Sequence, residues 1–253
     1  MKIDMHVHSH FSHDGHTRPT ELIMAAKKAG LDGLAVCDHN TLAGSQAAQR
    51  VCPNDFIIIP GAEYSTDIGH VLAYFIAEGA EDQALPRLAD GRFLFGALAG
   101  FVRARGGLLV LAHPLRRRQE MPAVLPRELH GLEVFNARQM ARFPRTTMPT
   151  MRAAIQAGGI LCAGSDAHWP GEVGGAYVEI EASSPEEARL ALLAGKYLCR
   201  GRPARRRFEA MGRMGQKGLA GLPKDLARLT VFALRDVWDL RPGGRAWEQT
   251  AVN

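Results

Sequence analysis

Along this chain, short apolar runs end again and again in a histidine or a carboxylate, and few folds can satisfy that repetition. The polar knots are Asp4-Met5-His6-Val7-His8 with Asp14 beyond, Asp38-His39, Glu63 followed by His70, His113-Pro114, and Asp166-Ala167-His168. Such side chains are costly to bury one at a time, yet each adjoins a segment whose composition demands burial. The cost falls when many strand ends meet at one place and the polar groups share partners. A parallel β/α barrel provides that arrangement, because its strands deliver their carboxyl ends to a common mouth.

Read as strands, the runs are Lys2–His8, Leu34–Cys37, Phe56–Ile59, Val71–Ile76, Leu108–Leu111, Leu132–Phe135 and Ile160–Cys162. Helical patterns fill most of the intervals: Glu21–Ala29, opened by Pro19 and stopped by Gly30, then Leu42–Val51, then a long stretch over Ala84–Arg105. Seven such runs, nearly all flanked by helices, suggest an α/β fold with a distorted seven-stranded (β/α)7 barrel of TIM-like type rather than an open sheet, two arrangements whose runs read much alike. His6 and His8 stand two apart, so the pleat aims both at one point. His39, Glu63, His113, Asn136 and the Asp166/His168 pair follow further strands. His70 precedes its strand instead, and only six residues separate it from Glu63. That interval suits a hairpin rather than a crossover, so the fourth strand is predicted to run antiparallel to the third and to start at the same mouth.

Composition sets the remaining bounds. A length of 253 residues, with 46% hydrophobic and 23% charged residues, predicts one main folded domain and excludes a fibrous or disordered chain. No run of 18 apolar residues occurs and the first residues are polar, so neither a membrane span nor a signal peptide is expected, and the cytoplasm is the expected compartment. Cys37, Cys52, Cys162 and Cys199 lie far apart with no C-x-x-C pair, which suits free core thiols. The net charge of +5 is uneven: residues 202–253 carry 11 basic against 5 acidic residues, leaving 20 against 21 in residues 1–201. The basic character therefore belongs to the tail, and the part bearing the knots makes no general case for nucleic-acid binding.

These residues resemble the PHP (polymerase and histidinol phosphatase) superfamily of metal-dependent phosphoesterases. The resemblance spans residues 1–201 and rests on seven ordered motifs: D-x-H-x-H at Asp4–His8, Asp14-Gly15, C-D-H-N at 37–40, G-A-E at 61–63, Gly69-His70, A-H-P at 112–114 and G-S-D-A-H at 164–168. The segment from Ser184 to Lys196 is similar to the family's closing helix, and its S-x-x-E start is a capping box in its own right. The resemblance implies a distorted seven-stranded barrel holding two or three divalent ions. It implies a first site of His6, His8, Glu63 and Asp166, a second that shares Glu63 and adds His70 and His113, and a third of Asp14, His39 and His168. His13 competes with Asp14 for the last position. Imidazole and carboxylate donors accommodate Mn, Fe or Zn, and the knots contain no cysteine that would select zinc.

The implied reaction is hydrolysis of a phosphate ester, a small phosphomonoester or a nucleotide, by a metal-bridging hydroxide, with Glu63, Asp166 and His168 at the reacting centre. Asp4 and Asp38 are expected behind the ligands, accepting the second ring N–H of a histidine. Arg138 and Arg116 are the candidates for gripping the substrate phosphate, since a guanidinium matches phosphate oxygens bidentately. His70 and His113 are 43 positions apart, room for one strand and one long helix but not for a lid domain. From Arg202 onward the resemblance ends, and residues 202–253 read as a basic linker followed by a helix, with Leu222, Leu226 and Leu229 at helical spacing, packed on the barrel or at an oligomer interface. Two other readings are carried forward: a nucleic-acid end-processing enzyme that uses the basic tail, and a non-catalytic metal-binding regulatory module. A nucleic-acid partner is allowed but not required, and no membrane partner is expected.

Overall fold

The computed structural model describes residues 1–76, 84–114, 125–142, 147–205 and 247–250. Strands β1 (Lys2–Val7), β2 (Gly33–Val36) and β3 (Ile57–Thr66) run parallel, as do β5 (Leu108–Leu111), β6 (Gly131–Asn136) and β7 (Ile160–Gly164). Between the two sets lies β4 (Gly69–Tyr74), antiparallel to both β3 and β5. The reversed strand expected from the short Glu63–His70 interval is therefore present.

The third strand is longer than its apolar run. Residues Ile57–Pro60 pair with β2, whereas Gly61–Thr66 pair with β4. The exchange of neighbours occurs at Pro60-Gly61. Proline has no N–H to give to a ladder, and a Cβ on Gly61 would lie 2.7 Å from the Ala73 carbonyl oxygen. The pair that reads as a strand end is thus a bend that carries Glu63 onward into the mouth.

Closure is achieved by the segment after β7. Val7 and Ala167 form a parallel bridge, and His8 N–H donates to Ala167 O at 2.8 Å while Asp166 N–H donates to His6 O at 2.7 Å. The other end of β1 is taken by β8 (Ala176–Ile180), antiparallel, which pairs in turn with β9 (Tyr197–Gly201). A further strand, β10 (Trp247–Thr250), adds to β9. Among the described residues the sheet has ten strands in the order β10-β9-β8-β1-β2-β3-β4-β5-β6-β7, three more than the seven apolar runs. Strands β8 and β9 lack a continuous apolar run because they alternate buried and half-buried positions and carry Glu179 and Arg200, which pair with each other across the ladder.

Helices α1 (Pro19–Lys28), α2 (Ala43–Arg50), α3 (Phe95–Arg103), α4 (Ala137–Arg142), α5 (Thr147–Gln156) and α6 (Pro185–Leu193) occupy the connections. Leu22, Ile23 and Ala26 of α1 are buried against Leu34, Val36 and Ile58; burying a leucine or isoleucine contributes about 1.5–3 kcal/mol. Ser184 caps α6 by accepting the Glu187 N–H at 3.2 Å. The long helix expected over Ala84–Arg105 is shorter, beginning at Phe95. Pro86 and Gly91, the latter at φ +84°, break the preceding residues into turns. Most of the expected linker and tail helix lies outside the described residues. Among the described residues, no helix is long and apolar enough to cross a membrane.

Candidate metal centre

Every histidine named from the knots reaches one cluster at the carboxyl ends of the parallel strands. His6 and His8 come from β1 and the turn after it, Glu63 from the bent half of β3, His70 from the start of β4, and His113, Asp166 and His168 from the turns after β5 and β7. Two of these turns are strained. His113 has φ +27° and Asp166 φ +56°, left-handed values that side chains rarely adopt and that persist only where the surroundings enforce them. His6, His8 and Glu63 are fully buried, whereas Asp14 and His70 stand at the rim.

The innermost donors face one another at short range. His6 Nε2 lies 3.1 Å from His8 Nε2, 3.6 Å from Glu63 Oε2 and 3.8 Å from Asp166 Oδ1. His8 Nε2 lies 3.5 Å from Glu63 Oε2 and 3.3 Å from Asp166 Oδ1. Donors placed about 2.1 Å from one ion stand about 3.0–3.4 Å apart in octahedral or tetrahedral geometry; the His6–His8 and His8–Asp166 separations fall in that range, and the other three are wider, at 3.5–3.8 Å, close enough for a divalent cation to draw in. Around it, Glu63 Oε1 sits 2.9 Å from His70 Nδ1 and 2.8 Å from His113 Nε2. Asp14 lies 3.1 Å from His168 Nε2 and 3.5 Å from His39 Nε2, and His39 Nδ1 lies 3.0 Å from Glu63 Oε2. One carboxylate therefore turns each of its oxygens toward a different group of imidazoles. Glu63 Oε2 and Asp14 Oδ1 are buried without a hydrogen-bond partner, an expensive condition unless a cation serves both.

Hydrogen-bond direction fixes which ring nitrogens face inward. Ser12 Oγ donates to Asp38 Oδ1 at 2.8 Å, so toward His8 it can only accept, and it takes the Nδ1–H at 3.0 Å. His168 Nδ1 donates to the Asp166 carbonyl at 2.8 Å. His6 Nδ1 donates to Glu133 Oε1 at 2.9 Å. Each of these rings thus presents Nε2 to the centre, the form that ligates metal.

The charge balance tells the same story. Burial alone would lower His6, but Glu133, Asp166 and Glu63 raise it well above its usual value. Burial also opposes protonation of His39, yet Glu63 and Asp14 push it up to about 10. His8, desolvated and next to other imidazoles, is lowered. Burial would raise Glu63 and Asp166, but the surrounding imidazoles hold both well below the carboxylate range. Without a cation, then, a proton on His6 must separate two facing nitrogens. Carboxylates in excess of fixed positive charge recruit protons where metal would bind.

Two expectations about supporting residues need correction. Asp4 accepts backbone N–H groups from His6, Ser165 and Gly174 at 3.2, 2.9 and 2.9 Å, and its burial pushes it up to about 6. Asp38 accepts from Ser9 N, Ser9 Oγ and Ser12 Oγ. Among the described residues, neither takes a ring N–H: Asp4 spends its oxygens stitching β1 to the turn after β7, and Asp38 reaches His8 only through Ser12. The carboxylate that takes the outer ring N–H of a candidate ligand is Glu133, at His6 Nδ1. Its signal was a lone acid inside the apolar run Gly131-Leu132-Glu133-Val134-Phe135.

Arg138, on α4, is largely buried and donates through Nε and Nη2 to Glu172 at 3.2 and 2.9 Å. Glu172 also accepts the His168 and Trp169 N–H groups, so it ties Arg138 to a candidate ligand. Arg116 lies outside the described residues. His13 is exposed, with Nε2 4.0 Å from Asp14 Oδ2, and joins Asp14 and His39 in a further grouping of donor atoms. Beside the cluster, the His16 and Trp169 rings stack with centroids 4.1 Å apart.

Comparison with known proteins adds an independent line. Residues 4–90 match the model of the PHP domain family and residues 150–197 that of a PHP-associated family. An uncharacterised protein of Methanocaldococcus jannaschii is 32% identical over 201 residues, covering 74% of this chain and 75% of its own. A 5′-3′ exoribonuclease of Haemophilus influenzae is 43% identical over 67 residues, 26% of this chain and 24% of its own. Among solved structures, a two-domain protein from Bacteroides vulgatus, described as containing a predicted PHP-like metal-dependent phosphoesterase, superposes with a TM-score of 0.64 at 18% identity, covering 79% of this chain and 64% of that one.

Proposed function

The chain belongs to the PHP domain family, and on that premise we propose that it hydrolyses a phosphate ester, releasing inorganic phosphate and an alcohol. The observation that carries the reading is Glu63 Oε2, a buried oxygen with no hydrogen-bond partner, 3.0–3.6 Å from ring nitrogens of His6, His8 and His39. In this reading His6, His8, Glu63 and Asp166 hold one ion, Glu63, His70 and His113 a second, and Asp14, His39 and His168 a third. Divalent ions held by these residues would lower the pKa of a coordinated water and offset charge on phosphoryl oxygens.

The chain's own residues supply the rest. Ser12 and the Asp166 carbonyl keep His8 and His168 in their ligating tautomers. Glu172 holds Nε and Nη2 of Arg138, which leaves Nη1 as the nitrogen not engaged by Glu172 and the one that would meet a phosphoryl oxygen in this reading. The left-handed turns at His113 and Asp166 present ligands that an extended backbone would carry past the mouth. The test is phosphate release by Mn²⁺-loaded protein across phosphomonoesters, diesters, 3′,5′-bisphosphonucleotides and short oligonucleotides. Turnover confined to one class would name the substrate. A metal-loaded protein that turned over none of them would overturn the proposal.

A second reading, nucleic-acid end processing, is supported by the local identity to the exoribonuclease. It predicts oligonucleotide binding that weakens steeply with salt, because basic side chains displace counterions from the phosphate backbone.

A further inference from the structure

Glu133 stands in the middle of β6, 2% exposed, and its carboxylate meets three donors from three places in the chain. Oε1 accepts His6 Nδ1–H at 2.9 Å; Oε2 accepts the His113 backbone N–H at 2.7 Å and Asn136 Nδ2–H at 2.9 Å. A residue three places from Asn136 would ordinarily point to the opposite face of a strand. The register between β6 and β7 shifts between Glu133 and Phe135, and this bulge re-aims the chain so that both side chains reach the mouth. The network continues outward: Asn136 Oδ1 accepts the Gln139 N–H at 2.8 Å, and Gln139 Nε2 donates to Pro114 O at 2.9 Å. The His113-Pro114 turn, strained at φ +27°, is thereby held on both sides.

We infer that Glu133 is the positioning residue that couples two parts of the metal centre: it fixes His6 with Nε2 inward and fixes the backbone that delivers His113 Nε2 to Glu63. The inference rests on the metal-binding part of the proposed function and assigns Glu133 no contact with substrate. Its chemistry is restrictive. The carboxylate offers acceptors on both oxygens, whereas a glutamine offers one oxygen and one NH₂. Whichever way that amide is turned, an N–H faces either His6 Nδ1–H or the His113 N–H. Glu133→Gln therefore preserves volume while forcing one of the two ligands out of position. Loss of the partner behind a metal-ligating histidine costs about 10- to 100-fold in affinity.

The experiment compares Mn²⁺ affinity and stoichiometry by calorimetry in wild type and Glu133→Gln, with melting of the metal-free proteins recorded alongside. A merely structural role would lower the metal-free melting temperature without changing affinity. The expected result is a folded variant whose affinity is about 10- to 100-fold weaker. A second measurement uses wild type alone: with Zn²⁺ bound and the imidazoles ¹⁵N-labelled, NMR should find the His6 proton on Nδ1 and the metal on Nε2. Wild-type affinity and stoichiometry in Glu133→Gln, or metal on His6 Nδ1, would overturn the inference and leave the phosphoesterase reading standing. Absence of metal binding in wild type would overturn both.

Discussion

Replacing Glu63 by glutamine removes one charge and almost no volume from the point on which the whole cluster converges. Glu63 Oε1 lies within 2.9 Å of His70 and His113, and Oε2 lies 3.0, 3.5 and 3.6 Å from His39, His8 and His6. A partner behind a ligand costs about 10- to 100-fold in metal affinity, so loss of a ligand shared between sites should cost at least about 100-fold. Ligand binding stabilises a fold by RT ln(1 + [L]/Kd). At a Mn²⁺ concentration 100 times the wild-type Kd, wild type gains about 2.7 kcal/mol, and a variant weakened 100-fold gains about 0.4 kcal/mol. For a chain of this size, about 2–4 °C accompanies each kcal/mol. Wild type should then melt about 5–11 °C higher with Mn²⁺ than with chelator, and Glu63→Gln about 1–2 °C higher. Both metal-free proteins should remain folded, since the glutamine also relieves a buried, unpartnered oxygen. A wild-type melting shift in Glu63→Gln would refute the assignment of Glu63 as the shared ligand.

Other perturbations test other parts of the argument. A Cβ at Gly164 would lie 2.4 Å from His6 Cβ and 2.8 Å from its backbone N; Gly164→Ala should destabilise the protein by about 1–3 kcal/mol, measured by chemical denaturation. Arg138→Ala strands the buried Glu172 and should cost about 3 kcal/mol, whereas the Arg138→Ala/Glu172→Ala double variant should recover part of that loss; additive single effects would show that the pair is not coupled. Arg138→Lys should raise KM for a phosphate substrate, because a single ammonium cannot keep the two-point contact with Glu172 and offer a separate nitrogen to a phosphoryl oxygen. The metal-free protein has His6 and His39 raised above their unfolded values, His39 to about 10. Their stabilisation is complete below the unfolded histidine value near 6.5 and is lost as pH climbs toward 10. Metal-free melting temperature should therefore fall across that window, while Mn²⁺, which takes the place of those protons, should flatten the profile.

How much of this was readable beforehand depends on where each signal resides. The candidate ligand histidines stand out because each adjoins an apolar run, and the reversed β4 follows from six residues between Glu63 and His70, too few for a crossover. Strands β8 and β9 did not stand out, since their half-buried faces tolerate Glu179 and Arg200 and leave no continuous apolar run. Pro60-Gly61 looks like an ending in the sequence because a strand that changes neighbours has the same local composition as one that stops.

The same contrast holds within the metal centre. Local order in the chain determined which residue types reach the mouth, because strand period and loop length fix that within a few positions. What the chain alone did not determine is what stands behind them. Glu133 faces His6 across 127 positions, Asp38 reaches His8 through a serine, and Glu172 ties Arg138 to the His168 backbone. Those partners are chosen by a bulge in β6, by the closure of β7 on β1 and by left-handed turns at His113 and Asp166. A hydrogen bond depends on separations of tenths of an ångström, and only the packed barrel sets distances that fine between segments so far apart in the chain.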